Sequence, residues 1–105
     1  MNAEEKAAMF WDLAQQMMLS GEAEKGTMMG HPCLRTKGKF FASLGRQGND
    51  LIVTLPAERV QALIAADKAA PFAPNGRTFR EWALITELDE EAWKGYLEEA
   101  KAFVA

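Results

Sequence analysis

The histidine and the cysteine of this chain, each present once, fall two residues apart in His31-Pro32-Cys33. In an extended segment, residues i and i+2 share a face. The pair therefore has the spacing of a Cys–His nucleophile, or of two ligands in a metal site. Neither chemistry is complete. With no further His or Cys in the chain, zinc would need two carboxylates as well, and no catalytic consensus surrounds the tripeptide. A small buried cysteine beside a polar turn histidine explains it with fewer assumptions. The expectation is a non-enzymatic protein without cofactor or metal, with a cryptic enzyme using His31 and Cys33 as the remote alternative.

Other reactive groups are weaker still. Glu90, Glu91, Glu98 and Glu99 lie on one predicted helix, where the first two complement the positive N-terminal end and all four read as a solvated face. Met17, Met18, Met28 and Met29 are soft, adaptable side chains whose usual role is filling gaps in a core. The eight glycines stand singly, and there is no Gly-x-Gly-x-x-Gly, no Walker loop and no Gly-x-Ser-x-Gly.

The strongest signal is electrostatic. The chain carries a net charge of −3, yet residues 25–49 hold Lys25, Arg35, Lys37, Lys39 and Arg46 and no acid. Overall acidity argues against unselective nucleic-acid binding and leaves a local anion-binding surface. Arg35, Lys37, Lys39 and Arg46 come from adjacent strands and turns, with Phe40 or Phe41 between them. Cations beside an aromatic ring suit phosphate and a stacked base. Charges on an exposed hairpin tip are the plainer account. Arg77 and Arg80 extend the patch if the fold brings them alongside.

The elements that must position these residues follow from periodicity and punctuation. Asn2 is a good N-cap, with Glu5 at capping-box spacing, and Met9, Phe10, Leu13, Met17 and Met18 recur at helical intervals until Ser20-Gly21. A second helix starts at Pro56, buries Val60, Leu63 and Ile64, and is closed off by Pro71. A third is capped by Asp89, with Leu88 and Trp93 placed as a hydrophobic staple and a stripe of Trp93, Tyr96, Leu97, Ala100, Phe103 and Val104. Residues 33–36 and 39–44 flank Lys37-Gly38, a two-residue hairpin turn, and residues 51–55 form a third strand. Thr27 to Met29 reads as a short edge strand. After the turn signal Pro74-Asn75-Gly76, residues 82–86 read as a last strand, with a helical turn from Thr78 to Glu81 as the rival. The predicted class is α+β, two layers, with three helices on a mostly antiparallel sheet in the order α-β-β-β-α-β-α.

That sheet does not alternate cleanly. Phe40 and Phe41, Ile52 and Val53, and Leu84 and Ile85 put apolar side chains on both faces, whereas a sheet with one wet face should alternate apolar with polar. The second face is expected to be covered by a helix, a second subunit or a ligand. A homodimer through that face is the alternative function.

Length and composition fit one domain spanning residues 1–105, with 49% hydrophobic and 26% charged residues. One cysteine cannot form an internal disulfide, the first twenty residues lack a secretory pattern, and no run of eighteen apolar residues occurs. The expectation is a cytoplasmic protein with no membrane partner.

Several pieces in order resemble the bacterial family that includes the TfoX N-terminal domain and the related YjbR (MmcQ) group. They are Met29-Gly30-His31-Pro32, Gly38 to Leu44, Leu55 to Val60, Gly76-Arg77, Arg80-Glu81-Trp82, and the closing helix with Leu97, Ala100 and Phe103. Together they span most of residues 8–104. The resemblance implies a two-layer α+β domain similar to type III secretion chaperones, and suggests transcription-related DNA binding. It supplies no catalytic residues. The resulting expectation is a binding or regulatory module whose partner is nucleic acid or an acidic protein, met through Arg35, Lys37, Lys39, Phe40 or Phe41, Arg46, Arg77 and Arg80.

Overall fold

The computed structural model describes residues 2–28, 30–45 and 48–105. Its elements are α1 (Ala3–Leu19), β1 (Glu24–Met28), β2 (His31–Thr36), β3 (Lys39–Leu44), β4 (Leu51–Thr54), α2 (Ala57–Ala65), β5 (Ala69–Pro71), a 3-10 turn (Pro74–Gly76), β6 (Trp82–Ile85) and α3 (Glu90–Val104). The six strands form one sheet in the order β1-β2-β3-β4-β6-β5, antiparallel at every step. The α+β class and the two layers are as the periodicity predicts. The two outermost strands are additions to the predicted order, one running from Glu24 rather than Thr27, the other unanticipated.

The helix ends obey local chemistry. Asn2 accepts a hydrogen bond from the Glu5 amide at 2.8 Å, and Asp89 accepts one from the Ala92 amide at 3.0 Å. These bonds satisfy amides that have no partner in a first helical turn. At the end of α1, Gly21 adopts φ 81°, while its amide donates to Met18 and that of Glu22 to Met17. This is a Schellman cap. Helix α2 ends the same way, with Asp67 at φ 62° and the amides of Asp67 and Lys68 donating to Ile64 and Leu63. The second helix is therefore closed at Ala65, not carried on to Pro71. The chain leaves it as β5, pairing Ala69 with Ile85. Residues 78–81 form no helix. Phe103, predicted for the buried stripe of α3, is 38% exposed.

Cross-strand partners share a face, so the registers sort the strand side chains into two sets. Leu34, Ala42, Val53 and Ala83 form one row, and Leu44, Leu51, Ile85 and Ala69 another on the same side. All join a single core with Phe10, Leu13, Ala14 and Met17 of α1, Val60 and Leu63 of α2, and Trp93, Tyr96, Leu97 and Ala100 of α3. The three helices thus bury against one face. Trp93 is fully buried there and its indole N–H donates to the Glu87 carbonyl at 2.7 Å, so the largest core side chain carries no polar cost. A bidentate Arg59–Glu99 pair at 2.9 and 3.2 Å ties α2 to α3, and Lys6 reaches Asp50 at 2.7 Å to tie α1 to the β3–β4 turn.

The opposite row is Gly26, Cys33, Ser43, Ile52, Leu84 and Ala70. No helix shares a core with it. Even so, Cys33 (0% exposed), Ser43 (3%), Ile52 (6%) and the neighbouring Thr54 (6%) are buried within the single chain. Small side chains make this feasible, because larger neighbours can lean over them. The hydroxyls of Ser43 and Thr54 donate to the Pro32 and Phe41 carbonyls. The sheet's own side chains thus cover the centre of this face without a helix, while Leu84 and Ala70 on its β6–β5 side are half-buried.

Candidate functional site

The hairpin that carries the basic cluster turns at Lys37 (φ 52°) and Gly38 (φ 79°). Positive φ at both central residues matches the twist of the flanking strands. Beyond the turn the register slips between Leu34 and Arg35: Leu34 pairs with Ala42 but Arg35 pairs with Phe40. Phe41 is the extra residue of a β-bulge. The bulge breaks the strict alternation expected for this strand, so Phe41 and Ala42, adjacent in sequence, both enter the helix-side core. Phe41 has no exposed surface, which corrects its assignment as a binding residue. Phe40 faces the other way and is half-buried.

Phe40 stacks on Trp82 with ring centres 4.7 Å apart, and Trp82 stacks in turn on Phe72 at 5.3 Å. Phe79 meets both Phe72 and Trp82 edge-on, at 5.7 and 5.5 Å. Trp82 stands opposite Thr54 across the strand pair, so the stack rises from the helix-free face. Sequence reasoning chose Phe40 and passed over Phe72, Phe79 and Trp82. The signal present was three large aromatic residues within eleven positions around a Pro-Asn-Gly turn, a setting where a solvated loop has no use for them.

The stack gathers the basic segments that lie far apart in the chain. Lys39 precedes Phe40 at the start of β3, on the opposite face of the strand, Arg77 precedes Phe79 by two residues, and Arg80 precedes Trp82 by two. Lys37, Lys39, Arg77 and Arg80 are exposed, and among the described residues none of them makes an ion pair. Ala57, Phe79, Arg80, Glu81 and Trp82 line an open groove of about 470 Å³ beside the stack. Glu81 brings one negative charge into it.

Two other cations are committed elsewhere. Lys25 sits with Nζ 4.9 Å from the centre of the Trp11 ring, on the helix side. Arg35 extends over Gly26 and donates from Nη2 to the Thr27 carbonyl at 2.6 Å. Arg46 lies outside the described residues. Of the eight residues singled out from sequence, Lys37, Lys39, Phe40, Arg77 and Arg80 therefore share one end of the molecule.

No family model, curated protein or solved structure matches the chain.

His31 and Cys33 do share a face of β2, as their spacing predicts. Cys33 is wholly buried, a setting unlike the electropositive, accessible surroundings that activate a thiolate. Among the described residues no three His, Cys, Asp or Glu side chains cluster as metal ligands. A second cavity, of about 240 Å³, lies between α1 and α3 and is lined by Leu13, Met17 and Leu97 with a rim that includes Glu22, Lys94 and Glu98. It shares no residue with the basic end. No described helix is long and apolar enough to cross a membrane.

Proposed function

We propose that this protein is a binding module, without catalytic activity of its own, that holds nucleic acid at the end of the sheet where the β2–β3 turn meets the β5–β6 loop. The observation that supports the reading is the Phe40–Trp82–Phe72 stack, which joins the segments carrying Lys37, Lys39, Arg77 and Arg80, four exposed cations that make no ion pair among the described residues. Phosphate contacts supply most of the affinity. Trp82 has a phenyl ring against each face, so the stack offers ring edges and an apolar wall, not a vacant platform for a base. Binding of this kind is electrostatic and indifferent to sequence. Glu81 in the groove and the net charge of −3 keep it weak at high salt. The resemblance to the TfoX N-terminal and YjbR families adds a transcription-related, bacterial cytoplasmic setting to this reading. The alternative, a homodimer through the helix-free face, has less apolar surface to cover than the strand pattern implies, because Cys33 and Ile52 are already buried inside one chain while Leu84 and Ala70 are half-buried.

Fluorescence anisotropy with short labelled DNA and RNA, single- and double-stranded, tests the proposal. Four neutralised phosphates give a slope of up to about −3.6 in log affinity against log salt on duplex DNA, which is roughly a 100-fold loss between about 50 and 200 mM. The double variant Lys39→Ala/Arg80→Ala should weaken binding and flatten that slope, while Phe40→Ala should leave the slope unchanged. Absence of binding to every probe at about 50 mM salt sinks the proposal.

A further inference from the structure

Each end of a sheet exposes backbone groups that another strand can capture, and natural sheets blunt such edges. This molecule blunts one of them plainly: β5 is three residues long and ends in Pro71, which has no N–H to offer. The other edge, β1, is five residues long and contains no proline. Glu24 and Lys25 charge its first half, but Gly26-Thr27-Met28 has neither charge nor proline and is the vulnerable stretch.

Arg35 meets that edge in an unusual way. Its Cα partner on β1 is Glu24, but its side chain runs along the strand to Thr27. The path passes over Gly26, where a Cβ would lie 2.8 Å from Nε and 2.9 Å from Cδ. Only glycine leaves that track open. Thr27 stands opposite Pro32, which has no N–H and turns its carbonyl to Ser43 of β3, so the two form a non-hydrogen-bonded pair. The Thr27 carbonyl therefore faces the open edge, where it takes the guanidinium at 2.6 Å. A charge-assisted bond of that length is stronger than an ordinary ladder bond.

We propose that Arg35, seated across Gly26, guards the β1 edge against antiparallel pairing with β1 of a second copy of this chain. The guanidinium occupies the acceptor at Thr27 and lays a charge along the strand, so an incoming strand must displace a charged bond and desolvate the arginine. The inference is independent of nucleic-acid binding, which rests on other residues.

The test removes the guard in two ways. Arg35→Ala deletes it. Gly26→Ala keeps the arginine and blocks its track, and so serves if the first variant folds poorly. Light scattering after gel filtration over a range of concentrations, with amide exchange on β1, gives the readout. The wild type is expected to run as the 11.6 kDa chain with fast-exchanging β1 amides. Both variants are expected to form concentration-dependent species of twice that mass or more, with β1 exchange slowed by about tenfold or more. Adding Thr27→Lys, a charge on the edge itself, should return Arg35→Ala to the monomer. Monomeric variants with wild-type exchange overturn the proposal. So does an Arg35→Ala assembly that Thr27→Lys does not dissolve, or a wild type whose β1 amides are already protected by self-association.

Discussion

The two faces of one sheet are closed by opposite means. On the helix side, large side chains do the work: Phe41, Leu34, Val53, Leu55 and Ile85 meet Trp93, Phe10 and Leu97, and nearly all have no exposed surface. On the other side the central row is small, Gly26-Cys33-Ser43 running into Ile52, and the cover comes from Arg35 lying along the strand and from aromatic rings standing over Thr54. Apolar residues on both faces of a strand therefore do not by themselves require a partner. A row of small residues needs little cover, and neighbours in the same sheet can provide it. The helix side gives stability, and the other side, freed from that duty, can carry charge and aromatic edges.

The sharpest way to break this contrast is to truncate the two adjacent phenylalanines. Phe41→Ala leaves a cavity beneath α3 and should cost about 3–5 kcal/mol in urea denaturation. Phe40→Ala removes one stacking partner from a half-buried group and should cost about 1–2 kcal/mol. Equal losses would mean that the stack is as much a core as the helix side is.

Two alanines on opposite faces offer a smaller version of the test. Ala42 is fully buried in the helix-side core, whereas Ala70 is only half-buried on the other face. Ala42→Leu should overpack and cost about 1–3 kcal/mol. Ala70→Leu should change thermal stability by no more than about 0.5 kcal/mol. A large penalty at Ala70 would show that the helix-free face is packed as tightly as the core.

What could be read from the sequence divides along the same physical line. Elements with local signals were legible: the Asn2 and Asp89 caps, the Gly21 stop, the Lys37-Gly38 turn and the pairing hairpin. Helix α2 was read too long because its stop is an aspartate at positive φ where glycine is usual, and Pro71, the visible breaker, lies in the following strand. Strand β5 has only three residues and gains its identity from pairing with β6, which no local pattern announces. The bulge at Phe41 likewise depends on two strands together. Whether Arg77 and Arg80 lie at the same end as Lys37 and Lys39 was conditional in sequence, since the stack that joins their segments brings Phe40 of β3, Trp82 of β6 and Phe72 beyond β5 together. Phe72 and Phe79 were missed for the same reason.

The smallest expected effect concerns pH, and it belongs to the helix layer alone. The Lys101 ammonium donates to Glu22 at 2.9 Å and lies 3.3 Å from Glu98. Its hydrogen bond, aided by that of Ser20, holds the Glu22 carboxyl below its ordinary value of 4.5. A carboxylate lowered by folding contributes stability above its unfolded value, and that contribution disappears as pH falls through the folded value. The wild type should therefore lose thermal stability faster than Glu22→Gln as the pH drops below 4.5, and the two curves should converge at still lower pH. The difference is slight because the carboxylate is solvent-exposed. At the alkaline end, burial, and after it the Glu87 charge, raise the Tyr96 hydroxyl above 10.0. The neutral phenol then favours the folded state below pH 10.0, and the advantage is lost as pH rises through the raised value. Tyr96→Phe should flatten that alkaline fall. Neutralising Lys39 and Arg80 at the basic end should alter neither limb. A change in either acid or alkaline slope from that pair would show that the basic end is coupled to folding and not held apart for binding.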